Sequence, residues 1–411
     1  MASPDVVLEP SLTVQLLAWT AAGVLLGSVS GLIPGLHANN FALLLAGVAP
    51  SVPGPPLFVG VAMLAAGVVH TFLNAIPSMA LGVPDAEMAM TALPGHKMVL
   101  EGRGYEAIRL SALGSILAVL AAVPLAIPLT IGVTAAYPTL QAHMSLLLAM
   151  VLAAMVAAEP RWRSRGGGLL TIVLATALGL VTLDLEPDAP LDGGGMLAPI
   201  FAGLFGAPVL IDAMRGGGVP RQGDPALTMP RTILLWTALA GTLSGAIVGY
   251  LPGISAAIAA VAVLALVPGG STDRGYIVAT SGVDTSNAIF ALFALVAIGQ
   301  PRSGVMVAYE STGAPVDLPI LVTAVVLAGL AGFVLVISVG DVYLEIVGRA
   351  SYWRISVAIL VLLLLLSLLF TGPLGLVVFA ASTAIGLVPV RTGARRVNCM
   401  AVLMGPLVID Y

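Results

Sequence analysis

Asp284, Thr285, Ser286 and Asn287 follow one another inside the otherwise apolar stretch "VATSGVDTSNAIFALFALVAIGQP". A carboxylate beside two hydroxyls and an amide is a set of hard oxygen ligands, which suits Na⁺, and the carboxyl alone suits a proton. An acid at membrane depth is costly enough to mark function by default. In the first half of the chain, "GVVHTFLNAIPSMALGVP" places His70, Thr71 and Asn74 within about one helical turn. Two further stretches carry a Pro-Gly break, "GLIPGLHANN" with Pro34, Gly35, His37, Asn39 and Asn40, and "YLPGISAA" with Pro252, Gly253 and Ser255. Proline removes a backbone donor and glycine frees the chain to bend, so each segment is expected to break and restart. A restarting helix aims unpaired N–H groups at the break, a ready site for an anion.

These residues divide into two expected roles. Asp284, Thr285 and Ser286 couple an ion, Na⁺ or H⁺. Pro34, Gly35, His37, Asn39, Asn40, His70, Thr71, Asn74, Pro252, Gly253, Ser255, Asn287 and Arg302 bind substrate. Arg302 follows the break Gly299-Gln300-Pro301 and offers a bidentate fork for a carboxylate or phosphate, with an ordinary loop arginine as the alternative. His70 is either a titrating group or a hydrogen-bonded core histidine. Glu101 and Glu106 read as a solvated face. No Gly-x-Ser-x-Gly elbow, His-Glu-x-x-His or phosphate-binding loop is present, so an enzyme is not expected, nor any cofactor or metal beyond Na⁺.

The elements that must hold these side chains are membrane helices. Of 411 residues, 59% are hydrophobic and 9% charged, with a mean hydropathy of +1.08. Soluble domains carry about 25% charged residues. Apolar segments fall at 11–33, 40–50, 57–73, 106–131, 142–158, 167–183 and 193–212, and again at 231–251, 254–268, 275–298, 316–339, 355–371, 373–389 and 397–410. Several are long enough to cross a hydrocarbon core, which takes about 20 residues of helix. The expected fold is an all-α polytopic membrane protein. Cys399 stands alone, and no basic stripe suggests nucleic acid.

The polar stretch 213–230 divides the chain into halves, 1–212 and 231–411, joined by a cytoplasmic linker. Shifting the sequence by 218 positions lays 23–50 over 241–268. Nine columns then match, including Gly23/Gly241, Gly27/Gly245, Gly31/Gly249, Pro34/Pro252 and Gly35/Gly253. Basic residues gather on the cytoplasmic side of membrane proteins. Placing Arg161, Arg163 and Arg165 inside brings fourteen of the sixteen basic residues to that side, with Arg274 and Arg302 excepted. Both termini then lie outside a prokaryotic plasma membrane, and the halves are expected to run in opposite directions, a plan common among secondary transporters. One Pro-Gly break is as readily explained by packing as by function; two in matching places point to a substrate site.

"GLIPGLHANN", "HTFLNAIPSMALGVPDAEMAMTALPGHKMVLEGRGYEAIRLSALGS", "VDTSNAIFALFALVAIGQPRSG" and "GLVPVRTGARRVNCMAVLMGPLVI" resemble the large membrane subunit of the tripartite tricarboxylate transporter family, in its shorter archaeal-type branch. The resemblance covers nearly the whole chain. It implies ion-driven carriage of an organic anion, a di- or tricarboxylate, by alternating access, with a small membrane subunit and an extracytoplasmic binding protein as partners. A homo-oligomer stays open. The paired Pro-Gly elements also resemble those of polyprenyl-phosphate transporters, the alternative reading, with an anion pore third.

Overall fold

The computed structural model describes residues 9–34, 36, 38–82, 89–190, 196–214, 219–250, 259, 272–299, 301–349 and 351–410. The described first half runs α1 (Pro10–Leu32), α2 (Ala38–Val48), α3 (Pro56–Leu73), α4 (Ala75–Leu81), α5 (Ala89–Leu100), α6 (Gly104–Ala142), α7 (Met144–Ala157), α8 (Trp162–Thr182) and α9 (Leu197–Phe201). A π-turn, Ala202–Gly206, leads into α10 (Ala207–Ala213). The second half runs α11 (Arg231–Tyr250), α12 (Asp273–Ile298), α13 (Gly304–Ser311), α14 (Leu318–Arg349), α15 (Tyr352–Thr392) and α16 (Ala401–Asp410), with a 3-10 turn, Arg396–Met400, before the last. Eight helices among the described residues are long and apolar enough to cross a membrane, so the protein is an all-α, multi-pass membrane protein. The sequence places most of these segments within a few residues. It ends the α6 segment at 131, whereas the helix continues to Ala142.

Helix ends follow local chemistry. Pro10 and Pro56 open α1 and α3, where a missing N–H costs nothing. The Thr272 and Ser303 side chains accept from Gly275 N and Met306 N, capping α12 and α13. Gly82 and Gly299 close their helices at φ 68°, the left-handed conformation glycine adopts without penalty. Within α15, Gly372 has φ 61° and ψ −163°, and a Cβ there would meet the Asp188 carbonyl at 2.5 Å. The chain therefore breaks at the boundary between the segments read as 355–371 and 373–389.

Two helix pairs pack alike. A Cβ on Gly23, Gly27 or Gly31 of α1 would strike Ala62 O, Ala66 O or Leu73 Cβ of α3 at 2.3, 2.4 and 2.9 Å. On Gly241, Gly245 and Gly249 of α11 it would meet Ala279 O, Val283 O and Phe290 Cβ of α12 at 2.5, 2.8 and 2.8 Å. The glycines are 218 positions apart and their partners 217, so the same close approach of small residues recurs in both halves. The order of contacts also makes each pair parallel. The segment between α1 and α3, which contains Pro34 and α2, must therefore carry the chain back along the full length of the pair.

The apolar interior forms two main clusters. The larger gathers residues of α1 to α6, α10, α11 to α14 and part of α15, and the smaller gathers α7, α8, α9, part of α15 and α16. Each draws residues from both sides of the 213–230 linker. In the larger cluster, 89% of the most apolar window of α3–α4 and 78% of that of α12 are buried, against 17% to 50% for the other spans. These two helices are the ones shielded from lipid, and they carry the polar residues.

A polar lock closes one end of the larger cluster. Glu106 is 3% exposed, not solvated as the sequence suggested. Its carboxylate accepts from Arg103 Nη2 at 2.7 Å, Arg274 Nε at 2.7 Å and Thr228 Oγ1 at 3.1 Å. Arg109 reaches Asp341 through both terminal nitrogens, at 2.9 and 2.8 Å. Gln222 of the linker receives Gly104 N and donates to Val99 O. Arg274, an exception in the sequence-based topology, thus sits beside Arg103, because the buried carboxylate one helix away is its partner.

Candidate functional site

The polar crossing of α3 and α12 is built from residues buried on all sides. His70, Asp284, Thr285 and Ser286 are fully buried, Thr71 and Asn74 nearly so, and Asn287 is 8% exposed. Asn74 Nδ2 donates to Asp284 Oδ2 at 3.1 Å, and the Thr71 and Thr285 hydroxyls lie 3.1 Å apart. Along α3 the partners thus run from 285 back to 284, and earlier on α3, Gly67 and Gly60 abut Val305 and Tyr309 of α13. α3 thus runs antiparallel to α13 and meets α12 at the 71/285 and 74/284 contacts.

α1 supports the cluster from behind. Ser30 Oγ is 2.9 Å from His70 Nδ1, which orients the ring. Gly31 makes this contact reachable, since a side chain there would press on His70 O at 3.1 Å and Asn74 N at 3.2 Å. On the other flank, Ser111 of α6 bonds Ser281 at 2.8 Å, and Ser115 donates to Ser281 O at 3.2 Å. Ser30, Ser111 and Ser115 are polar contributors that the sequence reading did not select. Each is one hydroxyl in a small-residue helix, and only tertiary contact shows which hydroxyls face the site.

The predicted residues do not all converge. Thr71, Asn74, Asp284 and Thr285 meet directly, with His70 held beside them. Ser286 faces the other way: its hydroxyl donates to Gly282 O at 2.7 Å and packs against Gly245 of α11. Consecutive helical residues are about 100° apart, which turns Ser286 off the α3 face. Asn287 stands 217 positions after His70, at the equivalent place in the second pair, and its amide makes no hydrogen bond among the described residues. Arg302 is half-buried two residues before α13. Pro34 is buried in the turn between α1 and α2, and Asn39 and Asn40 lie in the first turn of α2. Gly35, His37, Pro252, Gly253 and Ser255 lie outside the described residues.

What the crossing offers is one carboxylate, an amide, two hydroxyls and an imidazole, closed from solvent between two central helices. Among the described residues no three His, Cys, Asp or Glu side chains converge, so a cation here would rest on one acid and neutral oxygens. At the 217-position offset shared by the glycine contacts of the two helix pairs, Gly67 stands where Asp284 does, so the acid has no counterpart on α3.

The sequence model of the tripartite tricarboxylate transporter TctA family matches residues 17–401. An uncharacterized protein of Methanocaldococcus jannaschii is 26% identical over 404 residues, covering 96% of this chain and 98% of that protein. No solved structure matches. With a buried polar crossing between lipid-shielded helices and a family match from α1 to the start of α16, the chain belongs to the tripartite tricarboxylate transporter TctA family, which is a family of transporters and not of enzymes.

Proposed function

We propose that the chain is the permease of an ion-coupled secondary transporter for an organic anion, a di- or tricarboxylate, and that the α3–α12 crossing is its substrate and ion site. The observation that carries this reading is the Asn74–Asp284 contact, a buried carboxylate joined to an amide from the opposite half at the most sheltered point of the molecule. An ionised carboxylate taken out of water costs several kcal/mol unless compensated. Binding of Na⁺ or H⁺ at Asp284, with Thr71 and Thr285 as neutral oxygens, lowers that cost and couples ion occupancy to closure. The unengaged amide of Asn287 and the ring of His70 then receive the anion, helped by the helix start that follows Pro34.

Two features support oppositely oriented halves, 1–212 and 231–411, with 213–230 as a cytoplasmic linker. The α1–α3 and α11–α12 pairs share one packing pattern, and α3 runs antiparallel to α13 of the second half while meeting α12. Such a pair can expose the crossing alternately to either side. On this reading the membrane is the prokaryotic plasma membrane, both termini are external, and a small membrane subunit and a binding protein complete the assembly.

Uptake of radiolabelled citrate and succinate into proteoliposomes, with an imposed Na⁺ or H⁺ gradient, tests the proposal. Gradient-dependent accumulation is expected. Binding or translocation of a polyprenyl phosphate without carboxylate uptake would replace it with the lipid-carrier reading, and continuous ion conductance would replace it with a pore.

A further inference from the structure

A second polar feature lies away from the crossing, in a cavity of about 720 Å³ between the two apolar clusters. Its charged and polar lining is Lys97 of α5, Asp273 and Tyr276 of α12, Asp212 of α10, and Arg395 and Arg396. The charges are not evenly matched. Lys97 Nζ is held by Asp273 Oδ2 at 2.7 Å. The half-buried guanidinium of Arg396 has no hydrogen bond or ion pair among the described residues, and Asp212 acts on it only from a distance. The exposed Arg395 side chain makes no hydrogen bond among the described residues, its bonds being made by its backbone N–H and carbonyl. A half-buried cation with no directly bonded counter-ion is unfavourable, and the cavity beside it has room for an anion.

The turn that carries both arginines is fixed in place. Glu159, 1% exposed, accepts Arg395 N at 2.7 Å and Asn398 Nδ2 at 3.0 Å through one carboxylate oxygen. Arg163 Nη2 donates to Arg391 O at 3.1 Å, and Gly393 at φ 72° ends α15 in the left-handed conformation. The backbone from which Arg396 projects is therefore fixed beside the cavity, and its guanidinium offers a fork for bidentate recognition of a carboxylate.

We infer that this cleft is a second anion site, separate from the α3–α12 crossing, in which Arg396, flanked by Arg395 and Lys97, receives a small carboxylate-bearing molecule at the end of the molecule marked by the basic loops. The inference rests on the transport reading for the class of anion, and it deepens that reading by giving the anion a station between the two packed clusters. Neither arginine contributes to the ion site, so the two assignments fail separately.

Equilibrium binding of radiolabelled citrate to the purified full-length chain in detergent, in sodium-free buffer of low ionic strength, tests it. Wild type is expected to bind saturably, and Arg396→Gln to bind at least tenfold more weakly. Arg396→Lys, which keeps the charge without the fork, is expected to fall between. Arg349→Gln, which removes an exposed cation paired with Glu345 elsewhere, serves as the charge control and is expected to bind as wild type. Absence of saturable binding in wild type, equal binding in Arg396→Gln, or an equal loss in Arg349→Gln would overturn the inference. A variant that leaves the arginines in place guards against misfolding: Ala394→Cys adds a thiol to the cavity lining, while the native Cys399 is buried. Citrate is expected to slow its maleimide labelling severalfold, and an unchanged rate counts against the site. Retained citrate binding with unaltered ion dependence of transport in Asp284→Asn would remove the central-site reading and leave the cleft standing.

Discussion

Asn74 and Asp284 are 210 positions apart in sequence and 3.1 Å apart in space, amide nitrogen to carboxylate oxygen, with neither residue more than 4% exposed. The contact fixes the crossing of α3 and α12 and gives the buried acid a donor from the other half. Removing the amide leaves a buried carboxylate short of a partner, at a cost of about 1–3 kcal/mol. Asn74→Ala is therefore expected to lower the melting temperature in detergent and to cut uptake at least tenfold. Wild-type uptake would show that the amide only fills space.

The glycines of α1 and α11 give a prediction with its own control. A methyl at Gly27 or Gly241 would sit 2.4 or 2.5 Å from a carbonyl oxygen of the neighbouring helix, so the helices must separate. Gly27→Ala and Gly241→Ala are expected to destabilise by about 1–3 kcal/mol. Gly132 of α6 has nothing within 4 Å of the same methyl, and Gly132→Ala is expected to stabilise by about 0.5–1 kcal/mol through backbone entropy. Thermal unfolding of the three variants checks the contrast, and equal shifts would contradict it.

Glu106 carries a prediction about the ends of the helices. It is the shared acceptor of Arg103, Arg274 and Thr228, so Glu106→Ala releases α12, α6 and the linker together. A loss of about 1–3 kcal/mol is expected, with faster proteolysis in the 219–230 stretch. Limited proteolysis that leaves this stretch as protected as in wild type would show that the linker is held by Gln222 alone.

His96 sets a pH dependence. Burial lowers its pKa from the ordinary 6.5; the bond between Nδ1 and Met79 O, at 2.8 Å, opposes the shift, and the nearby Arg396 charge adds to it. The folded chain therefore takes up the proton less readily than the unfolded chain. This part of the stability is fully present above pH 6.5 and declines as pH falls through that value toward the lowered folded-state pKa. His96→Gln is expected to flatten the fall in melting temperature between about pH 7 and 5. Parallel profiles for wild type and variant would exclude His96 as the cause.

Much of this was legible in the sequence, for identifiable reasons. Long apolar segments show themselves by composition, and the glycines at 23, 27, 31 and 241, 245, 249 align because close helix packing tolerates little else at those places. Asp284 stands out because acids are rare at membrane depth. Ser286 was misleading, since a run of adjacent polar residues in a helix must face different neighbours. Glu106 was misread because the partners that bury it, Arg274 and Thr228, are far away in sequence. Arg396 was counted only as one more basic residue on one side of the membrane. Its isolation within a cavity is a property of the folded chain.

The account stands most directly on the ion dependence of transport by Asp284→Asn, measured as carboxylate uptake into proteoliposomes across matched series of Na⁺ and H⁺ gradients. The amide keeps the size of the side chain but holds no charge and no exchangeable carboxyl proton, so the folded variant is predicted to lose gradient-driven accumulation. Accumulation that follows the ion gradient as steeply as in wild type would contradict the assignment of the α3–α12 crossing as the coupling site.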